Sequence, residues 1–430
     1  MTVADEARVA AEVATTVQAM ARRARAAALA SARLDAAARR RALEAMADAV
    51  DAHSVEILAA NAADLSAAER NGVSGPMLDR LRLSEGAVAK LADAIREVAA
   101  QEDPLGTIED EIFRPNGLRV GRMRIPIGVV AMIYESRPNV TADAAALCLK
   151  AGNAVILRGG SEAQHSNRAI ADALRRGLAG TEVPQDAIQL VPTTDRRAID
   201  VLLEQDQFID LVIPRGGESL IRAVTAKSRI PVLQHYKGVC HVFLDATAPV
   251  QRSVDIVVNS KVQRPGVCNA LETLLVHRDA ATRVLPAVAA KLMEAGVELR
   301  GDARTVDLLA GTPVKSATED DWYAEYLDLT LAVRIVDDLE AALDHIARYG
   351  SSHTEAIVTE DPSNAEHFVS AVQSSTVLVN ASTRFADGGE LGLGAEIGIS
   401  TSKLHAFGPM GARELTTRKF VVFGEGQVRS

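Results

Sequence analysis

The chain has 430 residues and a formal net charge of −10, with an apparent pI near 5.5. A chain of this length exceeds what one hydrophobic core usually holds, so we expect two or three lobes. Its acidic balance argues against a nucleic-acid or membrane partner, and it has neither a long apolar run nor a signal-peptide core, so we expect a soluble, cytoplasmic protein.

The first third of the chain changes from helical to hairpin character. Residues 5–100 are rich in Ala, Arg, Glu and Leu with helical periodicity, which predicts several amphipathic helices. Residues 108–128 alternate around Pro115-Asn116-Gly117, a turn typical of a β-hairpin. Because an isolated hairpin is marginally stable, it needs another element to pack on.

Two series of short apolar runs alternate with helical stretches from Val129 onward. The first series predicts the strands VVAMIY, NAVILRGG, AIQLVPT, FIDLVIPRGG, IPVLQHY and VCHVFLD. After Asp245 the second predicts ETLLVHR, VELRG, LAVRIVDD, EAIVTED and STVLVN, and ELTTRKFVVFGEGQV reads as an exposed strand near the C-terminus. Strands separated by helices indicate buried parallel sheets, and therefore two α/β lobes.

Glycine pairs follow two of the predicted strands. Gly159-Gly160 and Gly216-Gly217 each precede a helix, and helix N-termini with small residues bind phosphate groups. A Gly-Gly pair after a strand is also common in ordinary turns, and the chain has no G-x-G-x-x-G. The pairs alone leave a nucleotide site and a plain turn both open.

Cys268 has the most suggestive surroundings of the three cysteines. It lies in KVQRPGVCNALETLLVH, directly ahead of what reads as a helix start, and a helix N-terminus favours a thiolate. Lys261 and Arg264 are close in sequence, and Pro265-Gly266 would hold a tight loop that a substrate can approach. These residues leave Cys268 open between a nucleophile and an inert loop thiol.

The remaining cysteines and the histidines suggest no metal site. Cys148 and Cys240 lie in apolar stretches and are expected to be buried filler. No histidine pair with a third ligand and no C-x-x-C motif is present, so we expect no metal. His235 and His241 are expected to be structural or cleft-lining rather than catalytic bases, and the lack of G-x-S-x-G argues against a serine hydrolase.

The order of these features resembles the aldehyde dehydrogenase superfamily, and within it the branch that reduces γ-glutamyl phosphate. The resemblance implies an α/β, aldehyde dehydrogenase-like fold with two doubly wound α/β lobes and a small β oligomerisation element. It implies an NADPH-binding lobe at 1–107 and 129–244, a catalytic lobe at 245–411, and an oligomerisation hairpin and C-terminal strand at 108–128 and 412–430. Four segments carry it: IPIGVVAMIYESRPNVTADAAALCLKAGNAVILRGG, QRPGVCNALETLLVH, VDDLEAALDHIARYGSSHTEAI and VNASTRFADGGELGLGAEIGISTSKLHAFGPMG.

The resemblance also implies a set of cofactor contacts. Arg158 falls where the superfamily has a lysine on the adenosine ribose, and an arginine there could hold the 2′-phosphate of NADPH, although an ordinary surface role is also open. Gly159 follows it in the same turn. Gly216 and Gly217 match the turn that faces the pyrophosphate. Glu325 aligns with the glutamate that contacts the nicotinamide ribose, although the rest of the E-x-F-G-P pattern is absent.

Cys268 corresponds by resemblance to the superfamily's catalytic cysteine. Hydrolytic members carry a glutamate in E-L-G-G-K, whereas this chain reads LQHYKGVCHVF and has no acid there. That substitution suits acyl-phosphate chemistry, because a base that activates water would hydrolyse the thioester. The oxyanion-binding asparagine corresponds to ESRPNV, with Ser136 in register and Asn139 just beyond, and Asn139 is the favoured donor.

The implied activity is NADPH-dependent reduction of L-γ-glutamyl 5-phosphate to L-glutamate 5-semialdehyde and phosphate through a Cys268 thioester, the second step of proline biosynthesis from glutamate. Arg137, Arg264 and Arg384 are candidates for contacts to the phosphate or the α-carboxylate, with structural salt bridging equally open. The hairpin implies a homo-oligomer, a dimer or tetramer, unless it is an internal β-flap. Transient contact with glutamate 5-kinase is a further expected partnership.

Three other functions remain open at this point. A coenzyme A-acylating aldehyde dehydrogenase also lacks the hydrolytic glutamate. A catalytically silent member could be retained as a binding protein, since fold alone does not guarantee activity. A thiol redox sensor is the third, although no resolving cysteine lies near Cys268 in sequence.

Overall fold

The chain forms two compact units in the computed structural model, which describes residues 3–73, 75–135 and 137–429. The first unit takes the chain up to Gln234, together with Gly392–Gly398 and the stretch from Met410 onward. The second unit comprises His235–Leu391 and Ile399–Pro409. Residues 235–244, which the resemblance grouped with the NADPH-binding lobe, therefore lie in the second unit.

The helices of the first unit match the predicted amphipathic series. Among all the described residues, no helix is long and apolar enough to cross a membrane. Side-chain caps fix two helix starts: Asp35 accepts from the Ala38 N–H at 2.7 Å and Ser84 from the Ala87 N–H at 3.2 Å. Such caps each stabilise by about 1 kcal/mol. The helices are α1 (Val3–Ser31), α2 (Ala36–Ala52), α3 (Ser54–Arg70), α4 (Pro76–Leu81), α5 (Glu85–Ala100), α6 (Asn139–Lys150), α7 (Gln164–Leu178), α8 (Arg197–Leu203) and α9 (Glu218–Lys227).

The first unit contains two sheets. Its strands are β1 (Ile108–Phe113), β2 (Arg119–Pro126), β3 (Val129–Tyr134), β4 (Ala154–Gly159), β5 (Ile188–Leu190), β6 (Leu211–Arg215) and β16 (Thr416–Phe423). The larger sheet is parallel, in the order β5-β4-β3-β6, and every residue of β3 is buried. A continuous apolar run is what a strand covered on both faces requires, so the predicted parallel sheet is confirmed.

The expected strand IPVLQHY is wrong. The segment makes only an isolated parallel bridge between Val212 and Val232. Pro231 accepts a hydrogen bond from the Val212 N–H at 2.9 Å but has no N–H of its own to donate. The segment therefore touches the edge of β6 and does not extend the ladder.

The hairpin and the C-terminal strand form one small antiparallel sheet, in the order β1-β2-β16. Gly117 in the connecting turn has φ +84°, a left-handed conformation that glycine adopts without steric cost. The sheet leaves large apolar side chains open to solvent, with Phe113 79% exposed, Phe420 68% exposed and Val422 55% exposed. The sequence predicted the hairpin and the C-terminal strand separately, and the structure shows that they pair in one sheet.

The second unit is built on a seven-stranded parallel sheet in the order β10-β9-β11-β8-β7-β12-β13. Its strands are β7 (Cys240–Leu244), β8 (Leu271–His277), β9 (Glu298–Gly301), β10 (Lys315–Ser316), β11 (Thr330–Val336), β12 (Thr354–Val358) and β13 (Thr376–Val379), with β14 (Ile399–Ser400) and β15 (Gly408–Pro409) forming a separate pair. Its helices are α10 (Val250–Val262), α11 (Arg278–Glu294), α12 (Ala303–Leu308), α13 (Glu319–Trp322), α14 (Leu339–Tyr349) and α15 (Pro362–Ala371). The predicted pair of α/β lobes is confirmed.

Candidate active site

Cys268 lies where three neighbouring strands of the second unit begin. The strands β8, β7 and β12 are adjacent and parallel, with Leu271 opposite Cys240 and His241 opposite Glu355. Residues that directly precede these strands are therefore brought together at the amino-terminal ends of the strands. Cys268 itself sits in a turn closed by a 3.0 Å hydrogen bond from the Ala270 N–H to the Val267 carbonyl, and it is half-buried.

The expectation that Cys268 directly precedes a helix is wrong, whereas the strand predicted at ETLLVHR is confirmed. The residues LETLLVH form β8, and all seven are buried between the neighbouring strands. Burial of this apolar run in the parallel sheet decides the conformation against the helix-favouring residues of the segment. No helix N-terminus follows Cys268, so the predicted stabilisation of a thiolate by a helix dipole is absent.

The backbone of Cys268 is held by residues that precede or begin β7. Gly238 packs so closely that an added Cβ would lie 1.9 Å from the Cys268 carbonyl oxygen. The buried Cys240 thiol donates to the same carbonyl at 3.2 Å. The Gly238 N–H donates to Glu325 Oε1 at 2.8 Å, so one predicted cofactor residue reaches the peptide that supports the thiol.

Two histidines accompany the thiol. The side-chain ligand atoms of His235, Cys268 and His353 all lie within 4.8 Å of one another, and the two imidazole rings meet edge to face at 5.0 Å. His353 is fully buried and its Nδ1 lies 2.7 Å from the Thr354 hydroxyl. Burial lowers the pKa of His353 to about 3, and the nearby His235 lowers it further, so its ring stays neutral at physiological pH.

Sequence reasoning grouped His235 with cleft-lining residues and did not single out His353. The missed signal was positional, because His353 directly precedes the predicted strand EAIVTED and that strand neighbours β7. One thiol and two imidazoles are also a ligand set that Zn²⁺ accepts. Within the described residues this cluster is the group with ligand atoms close enough to hold a metal ion.

Arg384 supports the residue after Cys268. Its guanidinium donates to Gln263 Oε1 at 2.8 Å and to the Asn269 side-chain oxygen, while the Asn269 amide donates to the Ala386 carbonyl at 2.9 Å. Burial lowers the pKa of Arg384. Arg264, by contrast, is exposed. Both arginines remain predicted substrate contacts, and Arg384 has a positioning contact that sequence reasoning did not anticipate.

A buried ion pair joins a residue before the Cys268 turn to a residue after it. Lys261 Nζ is 2.7 Å from Glu272 Oε2, and neither side chain is exposed. Burial raises the pKa of Glu272 to about 7 and lowers the pKa of Lys261, in each case against the attraction of the partner. The pair links the end of α10 to β8 on either side of Cys268.

Four of the predicted cofactor residues lie at the carboxyl ends of strands in the first unit: Arg158, Gly159, Gly216 and Gly217. Arg158 is 7% exposed, and its guanidinium donates to the Gly159 and Thr194 carbonyls, each at 2.8 Å. Burial lowers the pKa of Arg158. A Cβ on Gly159 would lie 2.1 Å from Asn167 Nδ2, so this glycine has a packing role as well as its predicted one.

The second glycine pair precedes α9 as predicted. A Cβ on Gly217 would meet nothing within 4 Å, so there is open space at this helix N-terminus, as a phosphate group requires. The Gly217 N–H donates to Glu135 Oε2 at 3.2 Å. A Cβ on Gly216 would lie 2.4 Å from the same carboxylate oxygen.

Arg137 and Asn139 line a cavity of about 190 Å³ in the first unit. Asp143, Arg215 and Glu396 share it, and sequence reasoning singled out none of these three. The Asn139 amide donates to Asp143 Oδ2 at 2.9 Å, and the amide has a second N–H. Ser136, the other residue considered for the oxyanion, lies outside the described residues.

Comparisons with known proteins agree with this architecture. Residues 2–332 match the model of the aldehyde dehydrogenase family, and the chain belongs to that family of oxidoreductases. Within it, the chain belongs with the relatives named gamma-glutamyl phosphate reductase. One from Geotalea daltonii is 57% identical over 430 residues, covering 100% of both chains.

Solved structures of that name share the fold. The gamma-glutamyl phosphate reductase of Thermotoga maritima has a TM-score of 0.94 and 43% identity, covering 96% of this chain and 100% of its own. The Saccharomyces cerevisiae protein of the same name has a TM-score of 0.54 and 32% identity, covering 96% of this chain and 98% of its own.

Proposed function

We propose that this chain reduces L-γ-glutamyl 5-phosphate to L-glutamate 5-semialdehyde and phosphate with NADPH, the second step of proline biosynthesis from glutamate. The observation that carries the proposal is Cys268, a half-buried thiol in a backbone-pinned turn beside two imidazoles. The name shared by full-length relatives supports the choice of substrate.

In the proposed mechanism the Cys268 sulfur attacks the γ-acyl carbon and phosphate leaves, so that a thioester remains. His235, expected from the sequence to be structural or cleft-lining, is instead the candidate acceptor of the thiol proton, because its ring nitrogen lies within 4.8 Å of the Cys268 sulfur. A side-chain amide, for which Asn139 is the candidate, stabilises the oxyanion together with the Cys268 N–H. When bound, NADPH would supply the hydride that reduces the acyl group to the aldehyde.

Most of the residues predicted to hold the cofactor lie in the first unit, and Glu325 lies in the second. Open space beside Gly217 and the N-terminus of α9 fit a pyrophosphate, provided that the Glu135 carboxylate moves away from the Gly217 N–H. Arg158 is the predicted contact for the 2′-phosphate and Glu325 for the nicotinamide ribose. The Arg158 guanidinium could donate two hydrogen bonds to the 2′-phosphate, which would favour NADPH over NADH.

The setting of the reaction follows from its chemistry. An acyl phosphate is labile in water, so a kinase must supply it, and transient contact with glutamate 5-kinase would limit its loss. We place the enzyme in the cytoplasm and assign the exposed small sheet to a homo-oligomer, either a dimer or a tetramer.

The reverse reaction tests the proposal. Purified protein is mixed with glutamate 5-semialdehyde, NADP⁺ and phosphate, and absorbance of the reduced cofactor is followed beside a Cys268→Ser control. We expect NADPH formation that requires phosphate and is lost in the control. Formation that requires coenzyme A instead, or that proceeds with water alone, would contradict the proposal, and so would no turnover with any acceptor.

A further inference from the structure

The cavity of about 190 Å³ lies where the strand order of the first unit reverses. β3 stands between β4 and β6, so the chain leaves β3 towards β4 and later returns to its other side at β6. Ligands of open α/β sheets bind at such switch points, outside the carboxyl ends of the strands. Arg215 ends β6 and Arg137 follows β3, so both come from those ends.

Four charged side chains share this small space: Arg137, Arg215, Asp143 and Glu396. Pockets for drug-sized ligands are roughly 300–1,000 Å³, so this cavity suits a smaller group than a nucleotide. Two guanidinium groups and two carboxylates balance each other. A ligand that carries one negative and one positive group close together would preserve that balance.

Glu396 reaches the cavity because its segment is tied down within the first unit. The Ile397 N–H donates to the Met410 carbonyl at 2.9 Å, and the Met410 N–H donates to the Gly398 carbonyl at 2.8 Å. Gln101 Nε2 donates to the Leu393 carbonyl at 3.1 Å, which fixes the other end of the segment. The backbone on either side of Glu396 is therefore held within the first unit.

The other polar groups are also held in place. Asp143 is oriented by the Asn139 amide at 2.9 Å. Gly398 has φ +155°, and a Cβ there would lie 3.2 Å from Arg215 Cδ, so glycine leaves room for the arginine stem. These contacts make a built site rather than a chance group of surface charges.

We propose that this cavity binds the α-carboxylate and α-ammonium of an amino acid, with Arg137 and Arg215 on the carboxylate and Asp143 and Glu396 on the ammonium. The identification of that amino acid as the glutamyl substrate rests on the proposed function. Arginine donors match a carboxylate in a bidentate arrangement, and carboxylates accept from an ammonium. In this assignment the cavity selects the amino-acid end of its ligand.

Three aldehydes test the assignment in the phosphate-dependent reverse reaction: glutamate 5-semialdehyde, 5-oxopentanoate without the ammonium, and 4-aminobutanal without the carboxylate. In wild-type protein we expect the first to have a KM about 10- to 100-fold below either analogue. Asp143→Asn and Glu396→Gln should raise KM for the amino aldehydes and leave 5-oxopentanoate nearly unchanged. Arg137→Met and Arg215→Met should raise KM for the two carboxylates and spare 4-aminobutanal.

A matched control and a binding measurement complete the test. Arg176→Met removes an exposed arginine paired with Glu56 elsewhere in the first unit, and it should leave all three KM values unchanged. Calorimetric titration with L-glutamate and with glutarate needs no turnover. We expect wild-type and Cys268→Ser proteins to prefer L-glutamate, and Asp143→Asn to lose the preference.

The two proposals can fail separately. L-Glutamate binding that depends on Asp143 and Arg215 in a protein without phosphate-dependent activity would support the cavity and overturn the proposed reaction. Uniform KM increases across the three aldehydes, or equal binding of L-glutamate and glutarate, would overturn the cavity assignment while leaving the reaction intact.

Discussion

Gly238 and Cys268 are in backbone contact: a Cβ on Gly238 would lie 1.9 Å from the Cys268 carbonyl oxygen and 2.8 Å from its Cα. Neither partner is a flexible side chain, so the contact cannot be relieved by a rotamer change. The position of the thiol therefore depends on the absence of one methyl group.

Gly238→Ala should displace the Cys268 turn and lower kcat/KM by about 100-fold or more, because a misplacement of about 1 Å costs that much in catalysis. The measurement is the phosphate-dependent reverse reaction, with circular dichroism as the check on folding. Gly86→Ala is the control, because Gly86 lies inside α5 with only Ser84 Oγ near its added Cβ. Full activity in Gly238→Ala would contradict this prediction.

Lys261→Met should destabilise the protein by about 3–5 kcal/mol, because it leaves the Glu272 carboxylate buried without its cation. The double variant Lys261→Met, Glu272→Leu should recover most of that loss. Urea unfolding of both variants beside wild type gives the comparison. Equal stability of the single and double variants would show that the ion pair is not what holds this region together.

Glu135→Ala should strengthen NADPH binding about 5-fold, because the carboxylate accepts from the Gly217 N–H that the pyrophosphate needs. Fluorescence titration of the reduced cofactor measures the change without turnover. Glu218→Ala is the comparison. Glu218 directly follows Gly217, but its carboxylate pairs with Arg222. Weaker binding in Glu135→Ala would assign that carboxylate to the cofactor site itself.

The proposed ammonium contact predicts a pH dependence. Burial raises the pKa of Asp143 to about 6, against the opposing effects of the Asn139 hydrogen bond and the Arg215 charge. Asp143 is therefore ionised above about pH 6 and neutral below it. KM for glutamate 5-semialdehyde should rise as pH falls through 6, and the Asp143→Asn variant should show a flatter profile.

The exposed small sheet predicts an effect on assembly. Phe420 and Val422 alternate along β16 and remain open to solvent, as expected for a sheet that pairs with another copy. Phe420→Glu should lower the mass measured by size-exclusion chromatography with light scattering. Leu404→Glu, at a residue 97% exposed in the second unit, should leave it unchanged. An unaltered mass for Phe420→Glu would favour the internal-flap alternative.

Local sequence patterns predicted most helices and strands, because apolar periodicity and turn residues determine the conformation of the few residues around them. The hairpin at Pro115-Asn116-Gly117 and both parallel sheets followed from such signals. The two errors share one cause. In IPVLQHY, and in the helix expected directly after Cys268, the outcome depended on which strand lay alongside, although the apolar run ETLLVHR had predicted β8 as a strand.

The candidate sites show the same division. Cys268 was predicted as a site residue from its own motif and from resemblance. His353, Arg215 and Glu396 became visible only when the strand order and the tied-down segment were known, because each is separated by many residues from the groups it joins. Arg158 was predicted from the sequence as a cofactor contact. The structure adds a structural role, because its guanidinium donates to two backbone carbonyls.

The pairing of β2 with β16 has a consequence for biosynthesis. A ribosome that adds about 5–20 residues per second needs roughly 15–60 seconds to make the chain between these strands. Throughout that interval the nascent β2 has an unpaired edge, and the Asn153 amide lacks the Leu415 carbonyl to which it donates at 2.8 Å. The first unit is thus completed only after the second has been translated, and the β2 edge stays without its β16 partner until then.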